Sequence, residues 1–364
     1  MPLRIDMLPK ACVWELTLQC NLQCLHCGSS AGPGTARDRE LNTREALDFC
    51  DEAAAMGVIS VTLSGGEPFL RDDWPEIVRR LHDKEVAVGI ISNGLSVTDE
   101  VKQELKTMRQ EGRVLTIGMS IDGPPKMHDW IRGRPGLFER TVAELQNVKE
   151  IGHNTNILTT VHKKNLDQMP ALRDLVWSVK PTMWQLQVTS GYGRMKDDKD
   201  KGEWLLSLED YARLIYFWVD TKMRSREVEI GSTDCIGYYG SAETVIRPQR
   251  AWDGCGAGID GFGLRSNGDV VGCLSLMDDR FVEGNIREAG LFPIWWREGA
   301  FIYNRDFSAS DLTDACRACP HALKCAGGCS AIADSIGGAP HRAAYCIRLA
   351  EVSAAKQSQI GQTG

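Results

Sequence analysis

The chain has 364 residues, of which 42 are Lys or Arg and 49 are Asp or Glu, so its formal net charge is −7. This charge excludes the broad basic surface that binds nucleic-acid backbones. No run of about 18 apolar residues is present and the N-terminus lacks an apolar signal core, so we expect no membrane association and a cytoplasmic location. In that reducing compartment, the 13 cysteines are expected to bind metal or to act in catalysis.

Short apolar stretches alternate with longer helix-like ones over the first half of the chain. The apolar stretches start 27 to 47 residues apart, which fits one strand and one helix in each unit. Asn42 and Glu45 have capping-box spacing, which predicts the start of a helix. Six such units predict an α/β fold whose parallel sheet curls into a partial or complete barrel. The predicted strands are 11–18, 58–65, 86–92, 113–121, 154–161 and 183–189.

Alternation within three of these strands separates a large apolar face from a small or polar one. Parallel strands inside a ring of helices have no solvated face, so we expect the polar faces to line a cavity at the barrel mouth. The alternative is an ordinary amphipathic strand with one face in solvent. The residues predicted to face the cavity are Val13, Glu15, Thr17, Thr116, Gly118, Ser120, Asp122, Gln185 and Gln187.

The character of the sequence changes after residue 195. The charged segment 193–204 is predicted to be a loop, and 207–224 is predicted to be a helix. From about residue 231 glycine and cysteine dominate, and the alternation of strand and helix ends. We therefore expect two domains, 1–230 and 231–364.

Three cysteines, Cys20, Cys24 and Cys27, follow the first predicted strand with CxxxCxxC spacing. A structural zinc ion takes four protein ligands, which three thiolates on one loop do not supply. Three thiolates can bind three irons of a [4Fe–4S] cluster and leave the fourth iron open to a substrate or cofactor. Half of a zinc site and a redox pair are the alternatives that the spacing leaves open.

Motifs at four consecutive strand ends resemble the radical S-adenosylmethionine (radical SAM) superfamily: CNLQCLHC, SGGEP (64–68), ISNG (91–94) and SIDG (120–123). The resemblance implies a partial (β/α)6 barrel in which the three cysteines hold a [4Fe–4S] cluster and SAM chelates its fourth iron. His26 departs slightly from the pattern, since an aromatic residue often precedes the third cysteine. The residues implied in SAM binding are Gly65, Gly66, Glu67, Pro68, Ser92, Asn93, Ser120, Asp122 and Arg132, with Arg134 as the second choice for the carboxylate.

The later cysteines resemble the SPASM extension of radical SAM enzymes, which holds two auxiliary [4Fe–4S] clusters. The ligands implied for the first cluster are Cys255, Cys273 and Cys329, and those for the second are Cys316, Cys319, Cys325 and Cys346. Cys235 is the expected fourth ligand of the first cluster, with Asp234 or an open iron as alternatives. Two zinc sites are the competing explanation. Cys12 and Cys50 lie on apolar faces and are expected in the core.

The resemblance implies SAM and three [4Fe–4S] clusters as cofactors, and flavodoxin or ferredoxin as the electron donor. SAM is then cleaved reductively to a 5′-deoxyadenosyl radical, which abstracts hydrogen from an unactivated carbon. Members with the SPASM extension mostly modify ribosomally made peptides, so we expect oxidative cross-linking or dehydrogenation of a precursor peptide. The alternatives are dehydrogenation of a small molecule, maturation of a tetrapyrrole, and a non-catalytic zinc- or cluster-binding module.

Four polar residues are expected near the substrate: Glu15, Gln185 and Gln187, with catalytic roles, and His162. The sequence fits equally well a structural role for each of the four side chains, as a hydrogen-bonded group away from the substrate. Leu274 stands where sulfatase-maturing members carry an aspartate, which argues against that activity. Only ten residues precede the first predicted strand, so we expect no fused leader-peptide-binding domain. A separate protein supplies it, or the peptide docks elsewhere, or the substrate is not a peptide.

Overall fold

The structure, a computed structural model, describes residues 7–197 and 201–360. Its strands are β1 (Ala11–Thr17), β2 (Ser60–Gly65), β3 (Ala87–Ser92), β4 (Thr116–Ser120), β5 (Asn154–Val161), β6 (Met183–Val188), β7 (Glu229–Ser232), β8 (Gly261–Leu264), β9 (Asp269–Val271) and β10 (Val282–Asn285). The helices of the first half are α1 (Thr43–Ala55), α2 (Trp74–Asp83), α3 (Asp99–Gln110), α4 (Pro125–Arg132), α5 (Leu137–Ile151), α6 (Met169–Val179), α7 (Arg194–Asp197), α8 (Lys201–Trp204) and α9 (Leu208–Arg224). Those of the second half are α10 (Glu243–Ile246), α11 (Ile286–Ala289), α12 (Leu291–Trp296), α13 (Ile302–Arg305), α14 (Asp314–Arg317), α15 (Ala322–Cys325), α16 (Ser330–Gly337) and α17 (Ile347–Ile360).

All ten strands form one sheet in the order β10-β9-β8-β1-β2-β3-β4-β5-β6-β7. Every neighbouring pair from β8 through β1 to β7 is parallel, while β9 and β10 are antiparallel additions at one edge. In the described part of the chain the two edges, β7 and β10, are not paired with each other. The sheet is therefore the partial parallel barrel that the resemblance implied.

The six predicted strands and the two predicted helix starts are confirmed. Asn42 and Glu45 form the capping box of α1, with N–H···O distances of 3.0 Å and 2.9 Å. Helix α9 follows a second capping box, between Ser207 and Asp210. Both boxes satisfy backbone N–H groups that a helix start otherwise leaves unpaired. No helix in the described ranges has the length and apolar character needed to cross a membrane.

The charged segment 193–204 differs from the loop that we predicted. It contains the one-turn helices α7 and α8, and residues 198–200 lie outside the described part of the chain. Met195 and Trp204 are buried. Tertiary packing stabilises turns that so short and polar a sequence does not form by itself.

The predicted domain boundary near residue 230 falls at β7. This strand extends the sheet beside β6. From the cysteine-rich half, β8 pairs with β1 from Ala11↔Gly261 to Trp14↔Leu264. The two halves of the chain therefore share one sheet, and β1 lies between the barrel strands and the cysteine-rich half.

Candidate active site

The inner face of the barrel lines a cavity of about 470 Å³, as the alternation predicted. The predicted residues that line it are Val13, Glu15, Thr116, Gly118, Ser120, Gln185 and Gln187. The large apolar residues of the same strands, such as Trp14, Ile117 and Trp184, are buried. Two predicted residues are not in the lining: Thr17, whose Oγ1 donates to Glu40 Oε2 at 2.8 Å, and Asp122, which is fully buried.

The CxxxCxxC loop leaves β1 with Cys20 and Cys24 buried and Cys27 partly exposed. Among the described residues, no three His, Cys, Asp or Glu side chains converge closely enough to bind a single metal ion. A [4Fe–4S] cube takes one thiolate at each iron corner, so its ligands stand further apart than those of one ion. Three thiols on one loop at the barrel mouth fit a cluster of that kind.

The sequence analysis missed Arg194, which holds the cysteine loop from the segment after β6. Its Nη1 donates to Cys24 O at 2.8 Å, and its Nη2 donates to Ala31 O at 2.5 Å. Its backbone N–H donates to Cys27 O at 3.0 Å. A Cβ at Gly193 would lie 2.2 Å from Cys27 O, so this approach requires glycine. The sequence does contain a signal for this close approach, because Gly191, Tyr192 and Gly193 directly precede Arg194.

Gly65 and Gly66 end β2 against the backbone that follows β1. A Cβ on Gly65 (φ +118°) would lie 2.4 Å from Thr17 O, and one on Gly66 would lie 2.0 Å from Gln19 O. Gly66 N donates to Thr17 O at 2.8 Å. Close packing of two backbones therefore requires these glycines even without a ligand. Pro68 begins a 3₁₀ turn beside them.

Glu67 is buried in a hydrogen-bond network that connects β2, β3 and the cysteine loop. Its carboxylate accepts from Ser92 Oγ at 2.9 Å and from Asn93 N at 2.8 Å. Asn93 Nδ2 donates to Asn21 Oδ1 at 2.9 Å and lies 3.7 Å from Cys20 Sγ. Three of the residues implied in SAM binding are thus brought together beside the first cysteine.

Burial raises the pKa of Glu67 from 4.5 to about 7, although Asn93 N–H and Ser92 Oγ–H favour its charged form. The folded chain therefore keeps this proton to a higher pH than the unfolded chain does. We expect this residue's contribution to stability to be lost as pH rises from about 4.5 to about 7, by about 3 kcal/mol at 1.36 kcal/mol per pKa unit. Urea unfolding followed by circular dichroism between pH 5 and pH 8 measures it. In Glu67→Gln the free energy of unfolding should fall less steeply between pH 5 and pH 7. If the free energy of unfolding changes with pH in the same way in both proteins, Glu67 is not the group that titrates.

Asp122 and Arg132 form a buried ion pair. Arg132 donates to Asp122 Oδ2 from Nε at 2.8 Å and from Nη2 at 2.7 Å. Thr160 N donates to Oδ1 at 3.0 Å, and His26 Nε2 lies 3.3 Å from Oδ2. Burial opposes ionisation of Asp122, but Arg132 and His26 outweigh it and hold its pKa well below the usual range. The remaining Nη1 of Arg132 lies 3.9 Å from Cys24 Sγ, so this edge of the guanidinium faces the cysteine loop.

Glu15 is a buried carboxylate with both oxygens engaged. Arg37 donates to it from Nε at 2.5 Å and from Nη2 at 3.0 Å. Ser266 donates to Oε1 from its backbone N at 3.2 Å and from Oγ at 3.1 Å. The contacts with Ser266 connect β1 to the cysteine-rich half of the chain. All four hydrogen bonds are typical of a structural role for Glu15, which is the alternative to its predicted catalytic role. Nothing in the sequence pattern pointed to Arg37 or Ser266.

Gln185 and Gln187 face the cavity from β6. Gln187 Nε2 donates to Thr160 Oγ1 at 3.0 Å, whereas the Gln185 amide has no hydrogen-bond partner within the described residues. His162 is fully buried and does not line the cavity. Burial lowers the pKa of His162 to about 3, so its ring is neutral.

The later cysteines lie around two cavities, in the grouping that the SPASM resemblance implied. A cavity of about 630 Å³ is lined by Cys235, Cys255, Cys273 and Cys329, with Asp234 beside them. Another, of about 380 Å³, is lined by Cys316, Cys319, Cys325 and Cys346. Four thiols around one space fit a [4Fe–4S] cluster in each case. Cys12 and Cys50 are buried in the hydrophobic core, as predicted.

The cavity of Cys255 and Cys273 adjoins the cavity of the barrel mouth. Both are lined by Gly28, Gln185, Gln187, Ser190, Leu274 and Ser275. Gly28 directly follows Cys27, and Leu274 directly follows Cys273. Open space therefore runs from the loop of the first three cysteines to the first group of SPASM cysteines.

Family comparisons agree with this geometry. Residues 14–176 match the radical SAM superfamily, and residues 255–320 match the SPASM iron–sulfur cluster-binding domain. The chain belongs to the radical SAM superfamily and carries a SPASM domain. It is therefore an enzyme that uses SAM and iron–sulfur clusters, and the interpretation as a non-catalytic binding module is excluded.

Two relatives align with most of the chain. The AdoMet-dependent heme synthase of Methanosarcina barkeri is 29% identical over 355 residues, covering 93% of this chain and 96% of the relative. The mycofactocin maturase MftC of Mycolicibacterium smegmatis is 30% identical over 326 residues, covering 89% and 78%. Streptococcus suis SuiB bound to S-adenosylmethionine superposes with a TM-score of 0.71 at 19% identity, over 89% of this chain and 74% of that chain, which confirms the fold.

Proposed function

We propose that this enzyme oxidatively modifies a ribosomally made peptide. Cys20, Cys24 and Cys27 hold the cluster that binds SAM, and the two later groups of cysteines hold two auxiliary clusters. When bound, these groups supply the one-electron chemistry that removes a hydrogen atom from an unactivated carbon. A flavodoxin or ferredoxin donates the electron, and a separate protein presents the leader of the precursor peptide.

The observation that carries the proposal is the continuous space between the first cysteine loop and the first SPASM group. The wall that the two cavities share includes Gly28 and Leu274, each next to a cysteine in the sequence. A substrate bound there lies beside the first cysteine loop and can reach the cavity lined by Cys255 and Cys273. That placement supports an oxidation, because loss of two hydrogen atoms from the substrate is a two-electron oxidation: one electron leaves with the first abstracted hydrogen atom and the second must pass to an acceptor, which a nearby auxiliary cluster would supply.

The side chains in the shared wall suit a peptide. A peptide group offers one N–H donor and one C=O acceptor, and a glutamine amide offers the complementary pair. Neither the N–H₂ donor nor the C=O acceptor of the Gln185 amide has a hydrogen-bond partner within the described residues. The Gln187 amide is oriented by its hydrogen bond to Thr160, and its Oε1 has no partner within the same residues. A protein of this fold, SuiB of Streptococcus suis, has been crystallised with its precursor peptide SuiA.

Tetrapyrrole maturation is the second candidate function. It is favoured by the alignment with the heme synthase of Methanosarcina barkeri, which spans 96% of that relative. A macrocycle with carboxylate side chains would need cationic partners at the barrel mouth. Within the described residues, Lys and Arg are not among the side chains that line the two adjoining cavities. A lining that is polar but holds no Lys or Arg side chain within the described residues therefore supports the peptide.

Mass spectrometry tests the choice of substrate. Short peptides encoded beside the gene are co-expressed with the enzyme under low oxygen, and iron-coproporphyrin is incubated with the purified holoenzyme. We expect one peptide to lose two hydrogens, and this loss should disappear when Cys20, Cys24 and Cys27 are replaced with alanine. Unmodified peptides together with a converted porphyrin would overturn the peptide proposal. Deuterium uptake from heavy water at unchanged composition would replace oxidation with epimerisation.

The role of the cavity wall is tested by Gln185→Leu. Leaving a substrate polar group without its partner costs about 1–3 kcal/mol, so we expect modification of the peptide to fall about tenfold or more. Cleavage of SAM in the absence of peptide should be retained. Gln103→Leu is the matched control, since Gln103 is exposed on α3. Equal activity in both variants would show that the peptide does not contact Gln185.

A further inference from the structure

Four aromatic rings form a continuous series from the first cysteine loop to the protein surface. The ring of His26, within that loop, has its centroid 6.0 Å from that of His162. His162 lies 4.9 Å from Trp204, which stacks on Trp130 at 5.5 Å with an interplanar angle of 8°. Trp130, on α4, is 46% exposed, whereas the other three rings are buried. The series therefore joins solvent to the segment between two predicted cluster ligands.

The histidines in this series do more than fill space. Neither ring nitrogen of His162 has a hydrogen-bond partner among the described residues, and the same holds for Nδ1 of His26. A buried polar group without a partner destabilises the folded protein, because it gives up its hydrogen bonds to water without replacing them. A leucine would fill the same space without that cost but would interrupt the contact between rings. The energetics therefore indicate that ring continuity itself is used.

The outer end of the series lies in a small exposed surface beside the cysteine loop. Leu25 is 37% exposed, and its backbone N–H donates to Ile131 O at 2.8 Å, which holds it next to α4. Lys126 precedes Trp130 by one helical turn and shares its face of α4. Lys164 Nζ lies 5.9 Å from the centroid of the Trp130 ring. We call Leu25, Lys126, Trp130, Arg134, Lys163 and Lys164 the Trp130 surface.

The Trp130 surface is positively charged although the whole chain carries a net charge of −7. Lys126, Arg134 and Lys163 are exposed and have no ion pair within the described residues, while Lys164 pairs with Glu203 at 2.6 Å. The acidic remainder of the protein repels an acidic partner, so such a partner is steered to this face. Transient electron-transfer complexes use small interfaces, for which one exposed tryptophan and a few cations suffice.

We propose that the Trp130 surface docks a small acidic protein that carries one-electron equivalents, and that the four rings conduct the electron inward. This rests on the proposed function, in which the cluster at the first cysteine loop is reduced. The donor's flavin or iron–sulfur group loses one electron, that cluster gains it, and no atom is transferred. Electron tunnelling weakens steeply with the gap between groups, and packed rings keep each gap short.

Anaerobic stopped-flow absorbance of the holoenzyme tests the docking. The probes are reduced flavodoxin, reduced ferredoxin and, as a small reductant that needs no docking, dithionite. For Trp130→Ala we expect the second-order rate constant with the protein donor to fall about tenfold, the effect of losing one aromatic anchor, while the dithionite rate stays within about twofold. Phe292→Ala is the matched control, because Phe292 on α12 is 52% exposed and belongs to a different helix.

Two further variants separate charge from conduction. Lys126→Glu should slow the protein donor and reverse or flatten its salt dependence, whereas Lys106→Glu, an exposed lysine on α3, should not. His162→Leu should slow reduction of the enzyme by the protein donor, and His162→Phe, which keeps a ring, should restore the rate.

Wild-type rates of reduction by both protein donors in Trp130→Ala would overturn the proposal. If dithionite fails to reduce even the wild-type enzyme, the proposed function fails instead.

Discussion

Replacing Cys20, Cys24 and Cys27 together with alanine should abolish reductive cleavage of SAM and remove about four iron atoms per chain. The reason is that these thiols are the ones on the loop at the barrel mouth, next to the network of Glu67 and Asn93. With no thiolates the loop has no iron ligands to offer. Iron and sulfide analysis, with chromatographic detection of SAM cleavage products under dithionite, measures both effects.

The chain offers a matched control for this experiment. Cys50 is fully buried in the hydrophobic core on α1, so Cys50→Ala should change neither the iron content nor the cleavage of SAM. A second comparison replaces Cys316, Cys319, Cys325 and Cys346, which should lower the iron content by about four atoms per chain and leave cleavage of SAM measurable. Intact cleavage in the variant that lacks the first three cysteines would contradict the site.

Asp122→Asn should destabilise the protein by about 3–5 kcal/mol, because it leaves the guanidinium of Arg132 buried without its counter-charge. Both side chains are almost completely withdrawn from solvent, and the pair is joined at 2.8 Å and 2.7 Å. Urea unfolding of the purified protein, followed by circular dichroism, gives the difference in the free energy of unfolding. Removing both charges, with Asp122→Asn and Arg132→Met, should recover part of the loss.

Asp167→Asn provides the contrast, since Asp167 and its partner Arg213 are both exposed and lie 2.5 Å apart. The guanidinium of Arg213 also lies 3.3 Å from Asp210 Oδ1, so it keeps a partner when the charge at residue 167 is removed. Exposed ion pairs contribute about 0–1 kcal/mol, and we expect a loss within that range. Equal losses in Asp122→Asn and Asp167→Asn would show that the buried pair is not a structural requirement.

The parallel strands were predictable because each one is an apolar run long enough to show a period, set between helices. β7 and β8 have four residues each, too few for the alternation to be read. They are strands because β6 and β1 offer free edges beside them. Helices α7 and α8 were missed for a similar reason, since burial of Met195 and Trp204 forms them and no local signal does.

Within the site, short motifs predicted which residues meet, but not all of their partners. Glu67, Asn93 and Cys20 are close together because their strands are neighbours in a parallel sheet, whose ends meet at one edge. Arg194 reaches Cys24 across 170 residues of sequence, and Ser266 reaches Glu15 across 251. No periodicity or spacing encodes contacts of that separation.

By itself, the sequence determined the class of chemistry, since each of the four strand-end motifs that resemble the radical SAM superfamily is a short stretch of chain. It also determined the order of the first six strands and their alternation with helices. Only the tertiary structure decided that Cys235 lies with Cys255 around one cavity, and that this cavity opens into the barrel mouth. It likewise decided that one edge of Arg132 is held by Asp122. These features depend on how separate elements pack, and packing distances are set by the whole fold.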